Sequence, residues 1–341
     1  MKFFIAELFK SLEESNVRYA VLRNYESLPE KPADSDYFDL DLIVSSKDYE
    51  RYRSVVHNVA AKHEASIIKE FSRSYVKHIR VVKLLESHYV AVQLDAHIKG
   101  QGWHGYYYLH ENEILENRKK YNNIYVVSDF HKALINWLDK LLWGGYIKDK
   151  YRNDIQNIMK SHVKLLENFL AKVLPEKEKK DLSKIVTIGN LNDSVPFRGR
   201  LIAGIRRLSI KQYSLATFFW TADFYYRELI LRIKPPGLKV IFKKDNSHSN
   251  KIFDDLKTIV LGESLYLTCQ KYPSTSFKRI YTILRKQGLV AIISSRLVDN
   301  NYQAFEMCLS ESNHRNEVIG HILSRYKKER LFGATVVYIA N

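Results

Sequence analysis

Apolar and polar residues alternate from Phe38 to Val44, in the run Phe-Asp-Leu-Asp-Leu-Ile-Val. The alternation predicts a β-strand that places Asp39 and Asp41 on one face and Leu40 and Leu42 on the other. Aspartate is uncommon in strands, so two of them at alternate positions make this strand unusual. It is either a solvated edge strand with two surface acids or a strand that carries a functional pair of carboxylates.

The segment after this strand predicts a helix and then a hairpin. The stretch from Ser46 to Lys62 has acidic residues in its first turn, as helix N-termini commonly do. Two β-rich runs, Val76 to Leu85 and His88 to Ile98, flank the pair Glu86-Ser87 and predict an antiparallel hairpin. Period-2 alternation places three polar residues on one face of the second run: Gln93, Asp95 and His97.

Helical periodicity marks the N-terminus and the middle of the chain. Phe4, Leu8 and Leu12 recur at four-residue spacing and predict an amphipathic helix. Glycines 144 and 145 predict the end of a helix that Ser128 caps. The further predicted elements are helices over Lys148 to Val173 and Glu176 to Ile185, a loop over 189–199, a helical stretch to Ile233, a linker at 235–237 and a strand over Leu238 to Phe242.

Positive charge is the main compositional bias of the chain. The net charge is +16, and eleven Lys and Arg residues lie between Pro196 and Lys244. Aromatic residues are frequent in the same region, from Phe218 to Tyr226. We favour an amphipathic core helix with a solvated face. Binding to an anionic membrane surface stays open, and nucleic acid is the least favoured partner because no nucleic-acid-binding motif appears.

Several classes of protein are excluded or disfavoured. The only cysteines, Cys269 and Cys308, have no partners at metal-site spacing, which argues against a zinc site and a disulfide framework. No Gly-x-Ser-x-Gly or His-Glu-x-x-His pattern is present. No apolar stretch is long enough for a signal peptide or a membrane span. We therefore expect a cytoplasmic protein, peripheral to the inner face of the membrane if the basic and aromatic region binds lipid.

The paired acids point to a divalent cation. Two adjacent carboxylates repel each other and lose hydration, and a cation is the usual compensation. Hard oxygen ligands suit Mg²⁺. A third strand-borne acid, Asp95, about 50 residues after the pair is a rarer coincidence than the pair alone.

In this order of elements the chain resembles the nucleotidyltransferase superfamily, the DNA-polymerase-beta-like fold. The likeness is closer to a bacterial subgroup associated with surface polysaccharides, and it covers about residues 15 to 155. It rests on three segments: Val21 to Pro29 (VLRNYESLP), Asp39 to Val44 (DLDLIV) and Leu138 to Lys148 (LDKLLWGGYIK). The resemblance implies an α+β protein with a mixed catalytic sheet and flanking helices over 1–125, and a helical domain over 126–234.

The resemblance also implies a reaction. Asp39, Asp41 and Asp95 would hold two Mg²⁺ ions against a nucleoside triphosphate. A hydroxyl or phosphate of a glycan, sugar phosphate or related surface-polymer precursor would attack the α-phosphate, and pyrophosphate would leave. Asp95 would also help to deprotonate the nucleophile.

One position departs from the superfamily pattern. A Gly-Ser pair usually follows the first strand and binds the triphosphate, whereas this chain has Arg23 and Asn24 there. Arg23 can contact phosphate in bidentate fashion, so we assign both residues to nucleotide binding. By analogy with the helices that close the nucleotide cleft in the family, Lys140 and Lys148 are also assigned to the phosphates; the alternative is that both are surface lysines.

The region after the linker, 235–341, resembles a small P-loop-kinase-like α/β domain of the thymidylate kinase type. The order of strand, loop and helix is kept, but the phosphate-binding glycines and the Lys-Ser/Thr pair are missing. We therefore expect a degenerate domain that does not bind ATP in this way. Two other functions stay open for the whole chain, a catalytically altered or non-catalytic scaffold in polysaccharide assembly and a nucleotidyltransferase-type toxin that acts on RNA or protein.

Overall fold

The structure is a computed structural model that describes residues 2–29, 37–73, 76–85, 89–147, 149–233, 237–242, 251–252, 289–293, 304–308, 319 and 334–340. Among these residues, nine strands form in the first part of the chain. They are β1 (Tyr19–Val21), β2 (Tyr37–Val44), β3 (Ser66–Arg73), β4 (Val76–Leu84), β5 (Tyr89–His97), β6 (Gly100–Trp103), β7 (Tyr106–His110), β8 (Lys119–Tyr121) and β9 (Ile124–Val126).

Seven of these strands make one mixed sheet in the order β3-β4-β5-β2-β1-β9-β8. Strands β2 and β5 are parallel neighbours, whereas β1 is antiparallel to β2 and β4 is antiparallel to β5. The predicted DxD strand and the predicted hairpin are therefore confirmed. Strand β3, which the sequence analysis did not predict, extends the hairpin to a third strand.

Nine helices are found in the described part of the chain. They are α1 (Lys2–Glu14), α2 (Tyr49–Lys62), α3 (Glu111–Glu116), α4 (Asp129–Asp139), α5 (Asp149–Ser161), α6 (Val163–Val173), α7 (Glu176–Ile188), α8 (Arg198–Tyr213) and α9 (Leu215–Ile233). The N-terminal helix is confirmed as amphipathic, because Phe4, Leu8 and Leu12 are all buried.

The central sheet has a different core on each face. Leu40 and Leu42 of β2 are buried in one cluster with the apolar residues of α1 and α2. Ile43, on the opposite face, is buried in a second cluster with the helices from α4 onward. Because alternate residues of a strand face opposite sides, Asp39 and Asp41 share the face of Ile43 and look toward the helical region.

Some predicted helix boundaries are wrong. Residues Ser46–Asp48 form a 3₁₀ turn, and α2 begins only at Tyr49. The predicted helix from Lys148 to Val173 is interrupted at His162, next to Ser161, whose hydroxyl donates to the carbonyl of Ile158 at 2.9 Å. Such local bonds compete with the helical ladder, and neither Gly nor Pro marks the break in the sequence.

The region from 189 to 233 also differs from its prediction. The predicted loop over 189–199 contains a 3₁₀ helix, Leu191–Phe197. The helical stretch after it is broken at Ser214, which has a φ of 41°, into α8 and α9. Ser214 is a non-glycine residue with positive φ, a conformation that sequence patterns rarely reveal.

Helix α4 forms as predicted but continues in a different geometry. The Ser128 hydroxyl accepts a hydrogen bond from the His131 amide and caps α4. Residues Lys140–Gly144 then form a π-helical turn, and Gly145 ends it with a φ of 65°. Glycine adopts this left-handed conformation at little cost, so the predicted stop at the glycine pair is confirmed.

Helix α9 leaves a large apolar surface outside the core. Trp220 packs edge to face against the ring of Tyr107, at 4.6 Å between ring centroids. In contrast, Phe218 and Phe219 are 67% and 64% exposed. The favoured interpretation, a core helix with a polar solvated face, is therefore only partly correct. Across the described residues, none of the helices is both long and apolar enough to span a bilayer.

The last part of the chain contains a four-stranded parallel sheet in the order β11-β10-β13-β12. Its strands are β10 (Gly237–Phe242), β11 (Leu289–Ile293), β12 (Ala304–Cys308) and β13 (Ala334–Ala340). The predicted strand over Leu238 to Phe242 is confirmed. Residues 243–250, where the resemblance predicted the counterpart of a phosphate-binding loop, lie outside the described residues. The degenerate kinase-like domain therefore stays a prediction, as do the boundaries 1–125, 126–234 and 235–341.

Candidate active site

The parallel pairing of β2 and β5 brings two of the predicted acids side by side. Asp41 is the register partner of Asp95, and Asp39 is the register partner of Gln93. Register partners on adjacent strands project from the same face. Asp39 is exposed, whereas Asp41 is only 5% exposed. The three acids thus share one sheet face but differ in their access to water.

Asp41 is held by two basic side chains. Arg23 Nε donates to Asp41 Oδ2 at 2.6 Å, and His97 Nε2 lies 3.9 Å from Asp41 Oδ1. Burial alone would raise the pKa of Asp41, but the neighbouring His97 imidazole and the charge and hydrogen bond of Arg23 outweigh it and hold the pKa well below its usual range. Asp41 therefore stays ionised at neutral pH inside a mostly buried environment.

Asp95 belongs to a separate polar network. His78 Nδ1 lies 2.6 Å from Asp95 Oδ1, and the Gln93 amide donates to Asp95 Oδ2 at 3.3 Å. Gln93 in turn accepts a bond from Arg80 Nη2 at 2.6 Å. Arg80 is 1% exposed, so this network fixes the orientation of Asp95 from within the sheet.

A fourth acid, Asp139 at the end of α4, lies close to this group. Its Oδ2 is 3.6 Å from Arg23 Nη1, and its Oδ1 accepts a bond from the Tyr108 hydroxyl at 3.2 Å. Burial raises the pKa of Asp139 above its ordinary value, and the charge of Arg23 partly offsets that rise. Arg23 therefore bridges Asp41 on the sheet and Asp139 on the helix.

A cavity of about 330 Å³ opens between the sheet and the helices. One side, here called the strand wall, consists of Arg23, Asn24, Asp39 and Asp41. The other side, here called the helical wall, consists of Lys132, Ala133, Asn136, Lys140, Tyr151, Asp154, Ile155 and Ile158. Glu26 also lines the cavity.

The helical wall combines cations with an apolar patch. Lys132, Asn136 and Lys140 follow one another at four-residue spacing, which places them on one face of α4 and its π-helical continuation. Lys132 forms an ion pair with Glu26. Lys140 Nζ lies 5.4 Å from the centre of the Tyr151 ring. Acidic, cationic, aromatic and aliphatic groups thus surround one cavity.

The structure places most of the predicted site residues together. Arg23, Asn24, Asp39, Asp41 and Lys140 all line the cavity. Asn24 has a φ of 57°, a left-handed conformation that asparagine tolerates better than most residues. Asp95 lies beside Asp41 on the sheet but is not one of the described residues that line the cavity. Lys148 lies outside the described residues.

The sequence analysis missed several residues around the site. Lys132 and Asn136 could have been found from their spacing to Lys140 along α4. His78 could also have been found, because a two-residue turn at Glu86-Ser87 places residue 78 opposite 95 and residue 80 opposite 93, as observed. Asp139 and Asp154 gave no comparable signal, since their approach to the site depends on how the helices pack.

The acids suit Mg²⁺ in their chemistry but do not form a metal-binding group as they are arranged. Carboxylate oxygens are the ligands that Mg²⁺ prefers, and Asp39, Asp41 and Asp95 share one face. Asp41 Oδ2 is nevertheless occupied by Arg23. Within the described ranges, no three His, Cys, Asp or Glu side chains are grouped so that they could hold a metal ion. The predicted metal ligands therefore stay a prediction.

Comparisons with known proteins give only distant structural similarity. No protein-family model and no curated protein matches the chain. The chain is similar to the crystal structure of JHP933 from Helicobacter pylori, with 10% sequence identity and a TM-score of 0.29 over 64% of this chain and 95% of that one. It is also similar to an H. pylori protein provisionally named a nucleotidyltransferase, with 8% identity and a TM-score of 0.29 over 66% and 94% of the two chains.

Proposed function

We propose that this protein transfers a nucleotidyl group from a nucleoside triphosphate to an acceptor and releases pyrophosphate. The observation that carries the proposal is the cavity between the strand wall and the helical wall. Acids that suit a cation bound to phosphate line one side, and lysines that suit the phosphates themselves line the other. Phosphoryl chemistry depends mainly on positioning and charge stabilisation, and both kinds of group are available here.

Each wall has a separate task in this proposal. Lys132 and Lys140 bind the triphosphate oxygens, and Asn24 and Asn136 add neutral hydrogen bonds. Tyr151, Ile155 and Ile158 form the aromatic and aliphatic surface against which a nucleobase packs. The carboxylate of Asp95, held by His78, is the group that receives the proton of the attacking hydroxyl.

Magnesium is part of the proposal as the cofactor that Asp39, Asp41 and Asp95 would hold. When bound, it neutralises charge on the attacking and leaving oxygens of the displacement. The carboxylates provide the hard oxygen ligands that this ion prefers.

The acceptor is proposed to be a glycan, a sugar phosphate or a related precursor of a cell-surface polymer. The sequence resemblance to the polysaccharide-associated subgroup supports this class. We also propose that the protein is cytoplasmic and that it approaches acceptors at an anionic membrane surface through the exposed apolar face of α9, which includes Phe218 and Phe219.

The ion pair between Arg23 and Asp41 favours a second candidate, a catalytically altered relative that acts as a scaffold in polysaccharide assembly. An arginine bound to a central carboxylate at 2.6 Å is consistent with a site that no longer accepts a metal. The two candidates differ in whether the protein turns over a nucleotide.

The test is pyrophosphate release from each of the four nucleoside triphosphates with Mg²⁺, in the presence of sugar-phosphate acceptors. We expect release with at least one nucleotide and loss of that activity in Asp39→Asn. Glu50→Gln is the matched control, because it removes an acidic side chain in the first turn of α2, and it should retain activity. The transferase proposal fails if wild-type protein neither binds nor turns over any nucleotide, and that outcome would favour the scaffold.

A further inference from the structure

Arg23 is tightly engaged at the centre of the site. Its Nε lies 2.6 Å from Asp41 Oδ2, and its Nη1 lies 3.6 Å from Asp139 Oδ2. The side chain of Asp41 is 7% exposed and that of Arg23 is 30% exposed. Water screens charges poorly in such a setting, so the attraction between these two charges is screened less than in an exposed surface pair.

The backbone fixes where Arg23 emerges. The Leu22 amide donates to the carbonyl of Asp41 at 2.9 Å, and the Val127 amide donates to the carbonyl of Val21 at 3.1 Å. The chain on the N-terminal side of Arg23 is therefore tied both to β2 and to the residue that follows β9. The contact between Arg23 and Asp41 follows from the fold as well as from the side-chain conformation.

A divalent cation on Asp41 would need the place that the guanidinium takes. Mg²⁺ binds carboxylate oxygens at about 2.1 Å, so an ion on Oδ2 would lie directly against the Arg23 group that donates to the same atom. Two positive charges at this separation repel strongly in a poorly hydrated site. The other oxygen, Oδ1, faces His97 at 3.9 Å.

We infer that Arg23 and a divalent cation compete for the carboxylate of Asp41, so that metal binds there only after Arg23 has turned away. Asp139 is the alternative partner, because its Oδ2 is already near Arg23 Nη1 and its position is supported by Tyr108. The phosphates of a nucleotide in the cavity offer a second partner for Arg23. The cation is the one named in the proposed function, and this last step also takes its nucleotide from there. It makes nucleotide and metal binding mutually favourable.

The test measures Mn²⁺ binding without nucleotide, by the loss of the free-ion signal in electron paramagnetic resonance. We expect Arg23→Gln to bind Mn²⁺ at least tenfold more tightly than wild type, since the competing cation is gone. The double variant Arg23→Gln/Asp41→Asn should lose this gain. Arg53→Gln is the matched control, because Arg53 Nε also lies 2.6 Å from a carboxylate, that of Glu70, and its removal should leave Mn²⁺ binding unchanged.

Equal Mn²⁺ affinity in wild type and Arg23→Gln would overturn the inference, and so would a gain that persists when Asp41 is also replaced. If Arg23→Gln does not fold, as judged by circular dichroism, Arg23→Lys takes its place. The lysine ammonium group lacks the fork that reaches both carboxylates, so Mn²⁺ should bind to this variant at least threefold more tightly than to wild type. An unchanged Mn²⁺ affinity would overturn the inference here too. Because no nucleotide is present, failure here is distinct from failure of the transferase proposal.

Discussion

The strand wall and the helical wall hold their charges in different ways. On the strand wall, Arg23 and Asp41 bind each other in a mostly buried ion pair. On the helical wall, Lys132 and Lys140 extend from a helix surface. Lys132 pairs with the exposed Glu26, and Lys140 lies over the ring of Tyr151. Changes to the strand wall should therefore alter chemistry and folding together, whereas changes to the lysines should alter ligand binding with little effect on folding.

The largest expected effect is on the strand wall. Asp41→Asn removes the charge that Arg23 neutralises, and we expect nucleotidyl transfer to fall by about 10²–10³-fold, the loss typical of one electrostatic group in an active site. The measurement is the initial rate of pyrophosphate release. Asp129→Asn is the control, because Asp129 is paired with Lys119 at 2.7 Å on the surface. A wild-type rate in Asp41→Asn would show that the carboxylate of Asp41 does not take part in nucleotidyl transfer.

The next effect is on the stability of α4, the helix that carries Lys132 and Asn136 of the helical wall. His131, buried near the start of α4, has its pKa lowered from its ordinary value to about 4 by burial and by the charge of Lys172. The unfolded chain therefore binds the proton more readily, and stability is lost as pH falls below about 6.5. We expect the free energy of unfolding to drop by roughly 2 kcal/mol between pH 7.5 and pH 5 through this residue.

Urea unfolding at the two pH values measures this contribution. His131→Gln should show a smaller pH dependence of the free energy of unfolding than wild type, by that amount. An unchanged pH dependence in His131→Gln would show that the helical wall is not anchored by a neutral histidine.

A smaller effect is expected for the lysine that the sequence predicted. Lys140→Ala removes one cation from the cavity, and the dissociation constant for a nucleoside triphosphate should rise about tenfold, as expected for a charge-assisted hydrogen bond. Isothermal titration calorimetry measures the affinity, and thermal unfolding should be unchanged. Lys180→Ala on α7, where the side chain is 72% exposed, should bind nucleotide as wild type does. Destabilisation by Lys140→Ala would contradict the distinction between the walls.

The smallest effect is expected for the aromatic side chain of the helical wall. Tyr151→Leu removes a ring that lines the cavity, and nucleotide affinity should fall about fivefold, near the lower end of the cost of losing one stacking contact. The exposed Tyr146 provides the comparison, since Tyr146→Leu should not change the affinity. Similar affinities for all four nucleotides in wild type would support stacking, because every base has a π-face.

The exposed face of α9 shows where composition misleads. The sequence favoured an amphipathic core helix with a solvated face, because apolar and basic residues are mixed along it, as in helices that place one face on the core and the other in water. The observed helix packs Trp220 inward and leaves Phe218 outside. Hydrophobic spacing fixes which residues share a face, but whether another element covers that face depends on the tertiary arrangement.

The sequence by itself determined the local elements of the site. Strict alternation placed Asp39 and Asp41 on one strand face, and the turn predicted at Glu86-Ser87 gives the hairpin register in which His78 is opposite Asp95, the register observed between β4 and β5. These features follow from spacings of two residues within continuous segments, so no distant contact is needed to predict them.

Only the tertiary structure decided what each acid touches. The parallel pairing of β2 with β5, which brings Asp41 beside Asp95, joins strands separated by a helix and two other strands. Arg23 was predicted to bind phosphate, yet in the structure it pairs with Asp41. Its second acidic neighbour is Asp139, on a helix that begins more than a hundred residues after Arg23. Contacts between distant segments depend on how the layers pack, and no local pattern encodes that packing.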